Sequence, residues 1–232
     1  MGSSASTAVT AHPNLKGTTV GTKDASIFET EPGSRGERRL DLADGGVLEL
    51  FEKWMPDDDA TRLFRALESE IPCAVRNIRM MGREIPQPRL TAWLGDPGAR
   101  YKYSGVALDP VPWTPTLLAI RTRVAGATDH VFNACLCNLY RSGQDSVGFH
   151  ADNEPELGKN PIVASVSLGV TRRFVLQHAT RKELKLSLDL THGSLLVMRG
   201  TTQAYWRHSI PKTSSAIGPR VNLTFRRIVS PT

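Results

Sequence analysis

Arg220-Val221-Asn222-Leu223-Thr224-Phe225-Arg226 alternates without a break between polar and apolar side chains. Successive side chains of a strand point to opposite faces. Val221, Leu223 and Phe225 therefore share one face, and Arg220, Asn222, Thr224 and Arg226 the other. An ordinary sheet strand with its polar face in water fits this alternation. An arginine near each end of one face also fits a small dicarboxylate held between them. Arginine suits that task better than lysine, because its fork makes paired, charge-assisted hydrogen bonds to carboxylates.

The same period of two extends outward from this stretch. Leu184, Leu186, Leu188 and Leu190 alternate with Lys185, Ser187 and Asp189, the pattern of a half-buried strand. Similar short runs fall at 132–140, 162–168, 174–178 and 194–198. Several short strands at close spacing predict a β-sandwich or jelly roll. Upstream, Val47, Leu48, Leu50 and Phe51 predict a short strand. Pro56 and three aspartates then precede Leu63, Phe64, Leu67 and Ile71 at helical spacing, the acids suiting the positive end of a helix dipole. A second helix is predicted from Thr114-Pro115, with Thr114 as cap, Pro115 first, and Gly126 as its stop. The fold class expected is α+β, mainly β, with two helices ahead of the β core.

Bulk properties agree with a globular chain. Its 232 residues can bury a sizeable core, and no apolar run reaches the length of a membrane span. Lys and Arg outnumber Asp and Glu by 29 to 23, for a net charge of +6, which suits an anionic partner such as nucleic acid but also plain solubility. Three cysteines make no disulfide framework. Cys135 and Cys137 would share one face of a strand as small buried hydrophobes, since metal sites use wider spacing and more ligands. Residues 1–38 lack any apolar period and are expected to form a disordered tail.

Two further segments carry candidate chemistry. In Gly148-Phe149-His150-Ala151-Asp152-Asn153-Glu154, one residue separates His150 from Asp152, so an extended backbone points both side chains the same way. Trp206-Arg207-His208-Ser209 lies far downstream. Two imidazoles and one carboxylate on one metal face leave open positions, as non-haem iron(II) oxygenases need. His178 and His192 are alternatives to His208 as third ligand. Asn138 and Tyr140 would share one face of another strand, able to donate hydrogen bonds into a polar interior.

Taken in order, Asn138-x-Tyr140, His150-x-Asp152, His208 and the 220–226 run resemble the AlkB family of DNA-repair dioxygenases. The resemblance extends upstream through Pro88-Arg89-Leu90-Thr91-Ala92-Trp93 and Tyr101-Lys102-Tyr103-Ser104-Gly105. It implies a double-stranded β-helix (jelly-roll) core with a nucleotide-recognition lid. The division implied is a lid-bearing extension over 39–130 and a catalytic core over 131–232, together one structural domain. It also implies Fe(II), 2-oxoglutarate and O2 as cofactor and cosubstrates. By position, His150, Asp152 and His208 would be catalytic and hold the metal. Asn138, Tyr140, Arg220, Asn222, Thr224 and Arg226 would hold 2-oxoglutarate. Tyr101, Tyr103, Glu154, Met80, Met81 and Gly82 would contact substrate, with Tyr103 stacking on a flipped base and Glu154 near its exocyclic amine. Duplex-acting members carry an aromatic finger where this chain has Met80-Met81.

The reaction so implied hydroxylates the carbon attached to a base nitrogen, and the hemiaminal collapses to an aldehyde and the repaired base. Alternatives are an oxygenase acting on RNA, protein or a small molecule, and a non-catalytic nucleic-acid-binding module. Expected are alkylated DNA or RNA as partner, no membrane, a monomer, and a cytoplasmic location in bacteria or a nuclear one in eukaryotes.

Overall fold

A computed structural model describes residues 18–20, 28–29, 37–80, 83–103 and 106–229. At 18–20, 28–29, 78–80, 83, 102–103 and 106–108 only the backbone is described. The first strands are β1 (Thr18–Val20), β2 (Phe28–Glu29), β3 (Glu37–Asp41), β4 (Gly46–Phe51), β5 (Ala74–Met80), β6 (Arg83–Gly95), β7 (Tyr101–Tyr103) and β8 (Val106–Leu108). Then come β9 (Ala134–Tyr140), β10 (Val147–His150), β11 (Val163–Gly169), β12 (Arg172–His178), β13 (Lys185–Leu190), β14 (Ser194–Gly200), β15 (Trp206–Ile210) and β16 (Arg220–Arg226). The helices are α1 (Asp57–Glu70), α2 (Pro115–Thr128) and the single turn α3 (Thr202–Tyr205).

Nine strands form one sheet in the order β2-β3-β4-β14-β11-β16-β9-β6-β5, and five form another in the order β1-β13-β12-β15-β10. The ladders that build both sheets are antiparallel. Leu48, Leu196 and Met198 of the large sheet bury against Phe174, Leu186, Leu188 and Leu190 of the small one. This is the jelly roll the alternating runs predict. The far face of the large sheet is covered too. Val221, Leu223 and Phe225 pack there with Leu67 of α1 and Leu117, Ile120 and Val124 of α2. Burying each such side chain contributes about 1.5–3 kcal/mol.

All seven residues of β16 are consequently buried, its polar face pointing between the sheets instead of into water. The central position of β16, with β11 on one side and β9 on the other, puts its arginines inside the barrel.

The structure adds to the sequence reading in three places. α2 runs through Gly126 to Thr128 and ends on Asp129 in the left-handed region at φ 48°, a conformation a short polar side chain tolerates. Thr114 caps its start as expected, accepting from the Leu117 N–H at 3.2 Å. The thirteen-residue β6 escaped the sequence reading because Pro86 and Pro88 interrupt its pattern. Both prolines fall where only β5 flanks it, since pairing with β9 covers Leu90 to Gly95, so the missing N–H groups break no second ladder. Finally, the segment expected to be a disordered tail contributes β1, paired with β13, and β2, paired with β3. β3 itself begins at Glu37.

Candidate active site

The site is built where β10 meets β15. Their antiparallel register places His150 directly opposite His208, after an irregularity between Val147 and His150. Directly opposed cross-strand residues bring their side chains together, and the two imidazole rings stand 4.3 Å apart between centroids. Asp152 lies just beyond the end of β10, where no ladder bond holds the backbone. Its carboxylate is fixed instead by Arg226, which donates from Nη2 to Oδ1 at 2.7 Å. Its main-chain N–H donates to Oε1 of Gln203 at 2.9 Å.

Together His150, Asp152 and His208 offer one ligand atom each, all within 4.8 Å of one another. Bonds of about 2.1 Å to a first-row metal keep ligand atoms within about 4.2 Å, so a small inward movement completes such a site. His150 Nδ1 lies 2.9 Å from the Gly148 carbonyl, so Nδ1 carries the proton and Nε2 keeps a free lone pair. His208 stacks on Phe174 and leaves Nε2 3.9 Å from Asp152 Oδ2, too long for a hydrogen bond. Oδ2 is buried without a partner. A buried carboxylate oxygen left open between two imidazoles suits a cation.

Charge supports the same fit. Burial pushes the His208 imidazole down to about 3, with the neighbouring His150 adding to the effect. Burial likewise lowers His150. Burial would raise the Asp152 carboxyl, but Arg226, His208 and His150 outweigh it and hold it at about 2. At neutral pH the set is two neutral imidazoles and a carboxylate, the protonation that metal binding requires.

A cavity runs from the triad along the polar face of β16. Arg220 and Arg226 stand six positions apart, about 20 Å of strand, so a small dicarboxylate could meet both only through long side chains reaching inward. Each guanidinium is buried and only partly engaged. Arg220 donates from Nη2 to Ser167 Oγ at 2.9 Å, and its Nε and Nη1 have no partner. Arg226 likewise leaves Nε and Nη1 open. Between them, Asn222 donates to Ser165 Oγ at 2.8 Å and accepts from Thr224 Oγ1 at 3.0 Å. β9 places Asn138 beside Asn222 and Tyr140 beside Arg220, with the Tyr140 ring 5.2 Å from the Arg220 guanidinium.

Several residues in or behind the cavity have no role assigned from the sequence. Ser165 and Ser167 alternate within the 162–168 run, so their shared polar face was there to be read. Arg89 donates from Nε to Asn138 Oδ1 at 2.7 Å, turning that amide's nitrogen toward Asn222. Arg172 also packs over the Tyr140 ring, 5.4 Å from its centroid, while donating to the carbonyls of Ser142, Asp145 and Pro211. Gln203 carried no sequence signal at all.

The alternative histidines are committed elsewhere. His178 is bonded to Asp44 at 2.7 Å and accepts the Arg181 N–H at 3.0 Å. His192 accepts the Gly169 N–H at 2.8 Å and meets Thr61 Oγ1 at 3.1 Å. Beside Arg226, Tyr101 is buried and stacked on Trp93 with centroids 4.6 Å apart, and the Arg226 guanidinium lies 5.4 Å from its ring. Glu154 is a neighbour of Tyr101, with a carboxyl raised by burial and then by Asp152. Met81 and Gly82 lie outside the described residues, as do the side chains of Met80 and Tyr103.

Comparison with known proteins places this geometry. The family model of the 2OG-Fe(II) oxygenase superfamily matches residues 47–226. Human alpha-ketoglutarate-dependent dioxygenase alkB homolog 3 is 45% identical over 204 residues, covering 83% of this chain and 71% of that one. Human DNA oxidative demethylase ALKBH2 is 40% identical over 181 residues, covering 74% and 69%. The structure of OsALKBH1 superposes with a TM-score of 0.57 at 22% identity, covering 78% of this chain and 97% of that one, which speaks to the fold. With the superfamily model spanning most of its length and such relatives at 40–45% identity, the chain belongs to the AlkB family of Fe(II)- and 2-oxoglutarate-dependent dioxygenases.

Proposed function

We propose that this enzyme repairs alkylated DNA by oxidative demethylation of bases such as 1-methyladenine and 3-methylcytosine. The observation that carries the reading is the His150–Asp152–His208 cluster opening onto a cavity lined by two half-engaged buried arginines. The DNA substrate is supported by relatives at 40% identity named DNA oxidative demethylase. The basic balance of the chain agrees with it.

His150, Asp152 and His208 hold the Fe(II) ion. Arg226, already beside Asp152, takes the 2-oxoglutarate carboxylate nearest the triad, and Arg220 takes the distal one. Asn138, Tyr140, Asn222 and Thr224 line the chain between them. When bound, iron with 2-oxoglutarate and O2 would supply the chemistry that turns the N-methyl carbon into a hydroxymethyl group, O2 being the oxidant and 2-oxoglutarate leaving as succinate and carbon dioxide.

The protein's own contribution is position and charge. Arg226 keeps Asp152 ionised, and the Gly148 carbonyl keeps the His150 lone pair directed at the metal. Buried apolar neighbours such as Leu136 and Phe174 limit water at the reacting end. Glu154 lies close enough to Asp152 to interact with it, and a carboxylate there suits the positive charge of a methylated base. Methylation at a pairing position also weakens the base pair, making the damaged base cheaper to extrude.

The test is incubation with Fe(II), 2-oxoglutarate and ascorbate on methylated oligonucleotides of DNA and RNA, single- and double-stranded, read by mass spectrometry. Methyl loss dependent on both iron and 2-oxoglutarate supports the reading and gives the strand preference. Succinate without methyl loss moves the substrate elsewhere; neither product from iron-loaded protein overturns the enzymatic reading.

A further inference from the structure

We infer that Gln203 is a positioning residue for the metal site, holding the Asp152 backbone in the place where the β-ladder stops. This inference rests on the metal site proposed above. β10 ends at His150, so the two residues that follow it lack the inter-strand bonds that fix His150 against His208. Arg226 steadies the Asp152 side chain, but a carboxylate can rotate about its bonds unless the main chain beneath it is also held. The Gln203 carboxamide does this, taking the Asp152 N–H at 2.9 Å.

The orientation of that amide is dictated by chemistry. Asp152 N–H can only donate, so the Gln203 oxygen must face it. The amide nitrogen then points at Met198 Sδ, 3.3 Å away. A thioether is a weak acceptor, so the interaction with Asp152 is the strong one. Gln203 is almost wholly buried.

Its place in the chain adds a second consequence. Gln203 belongs to α3, which leads directly into β15 and therefore to His208. One buried side chain thus ties the loop carrying Asp152 to the segment carrying another member of the triad, 56 residues downstream of Asp152. Groups that orient metal ligands from behind typically change metal affinity by about 10–100-fold when removed.

The experiment titrates Co(II) into the metal-free full chain, following the visible d–d bands, with urea denaturation run alongside. Gln203→Met keeps the volume and removes the good acceptor, and weaker Co(II) binding by about 10–100-fold with altered bands is expected. Gln203→Glu restores an oxygen acceptor and is expected to recover the parent's affinity. A purely structural role would lower urea stability and leave the affinity and bands of the folded variant unchanged, which overturns the inference. Should Gln203→Met fail to fold, Gln203→Asn, one methylene too short to reach, takes its place with the same expected and overturning outcomes. Asp152→Ala is the control for the site itself. If it binds Co(II) as the parent does, the metal assignment fails, separately from the role of Gln203.

Discussion

Arg226 donates to Asp152 across 2.7 Å in a place from which both side chains are shut off from solvent. The pair joins an interior strand of the large sheet to a loop of the small one, so a single contact serves the His150–Asp152–His208 cluster, the cavity beside β16 and the packing of the sheets. A buried charge stripped of its partner destabilises by about 3–5 kcal/mol. Arg226→Gln should lower the urea stability of the metal-free protein by that amount at pH 7. The pH response follows from the depressed Asp152 carboxyl, held at about 2 against an unfolded value near 3.9. A depressed acid stabilises the fold fully above the unfolded value and loses that contribution as pH falls through the folded one. The parent should therefore weaken between about pH 4 and 2, and the variant should lose this dependence. Equal stability of the two proteins at pH 7 would sink the argument.

Arg220 predicts a ligand effect of a different kind. It is a buried cation with two unpartnered nitrogens, and burial brings it down to about 10. A carboxylate arriving there supplies the missing counter-charge. At 100 times its Kd, 2-oxoglutarate should stabilise the parent by about 2.7 kcal/mol, or roughly 5–10 °C in Tm for a domain of this size. Arg220→Met should erase that shift while leaving the unliganded Tm little changed, because it also removes an uncompensated charge. A full shift surviving in the variant would show that the cosubstrate binds elsewhere.

Cys73 offers a check on burial at the edge of the helical layer. Burial, followed by the neighbouring Cys137, pushes its thiol up to about 12. The neutral thiol therefore dominates until the solution is strongly alkaline, and the thiolate is the reactive form. At pH 8 the native protein should react with Ellman's reagent about a thousandfold more slowly than a free thiol. In denaturant all three cysteines should react at once. Rapid labelling of Cys73 in the native protein would contradict the packing described.

Two glycines should respond to alanine in opposite directions. Gly169 sits at φ +95°, and an added Cβ would strike the Pro219 carbonyl at the start of β16. Gly169→Ala should destabilise by at least about 2 kcal/mol, left-handed backbone alone costing about 1–2. Gly126 lies inside α2 with nothing within 4 Å of such a Cβ. Gly126→Ala should stabilise by about 0.5–1 kcal/mol, since alanine is the better helix former. Thermal denaturation of both variants reads the contrast, and the same sign for both would refute it.

What could be read from the chain alone was whatever leaves a period or a fixed short spacing. The alternation at 184–190 and 220–226 names strands because a pleated backbone sends neighbours to opposite faces, and the Asp57–Asp59 and Thr114-Pro115 signals mark helix starts through local backbone chemistry. Arg220, Asn222, Thr224 and Arg226 could likewise be grouped on one face. That face was equally consistent with water, because alternation reports which side chains lie together and not what covers them. Local reading also misplaced the end of α2 at Gly126, since helix packing against the sheet carries it past a residue that is only a weak breaker. β6 was hidden because its prolines are harmful only where a second strand pairs, and that depends on where β9 ends.

The sequence by itself determined the strands whose alternation is unbroken, the two long helices and the residue types able to bind a metal and a dicarboxylate. Only the tertiary structure decided which histidine joins His150 and Asp152. The β10–β15 register sets His208 opposite His150, while His178 and His192 are each taken up by partners distant in the chain. It alone set Gln203 behind Asp152 and Arg89 behind Asn138. Such contacts join residues tens of positions apart through single side chains, and a long-range pairing of that kind imposes no periodicity on the sequence around it.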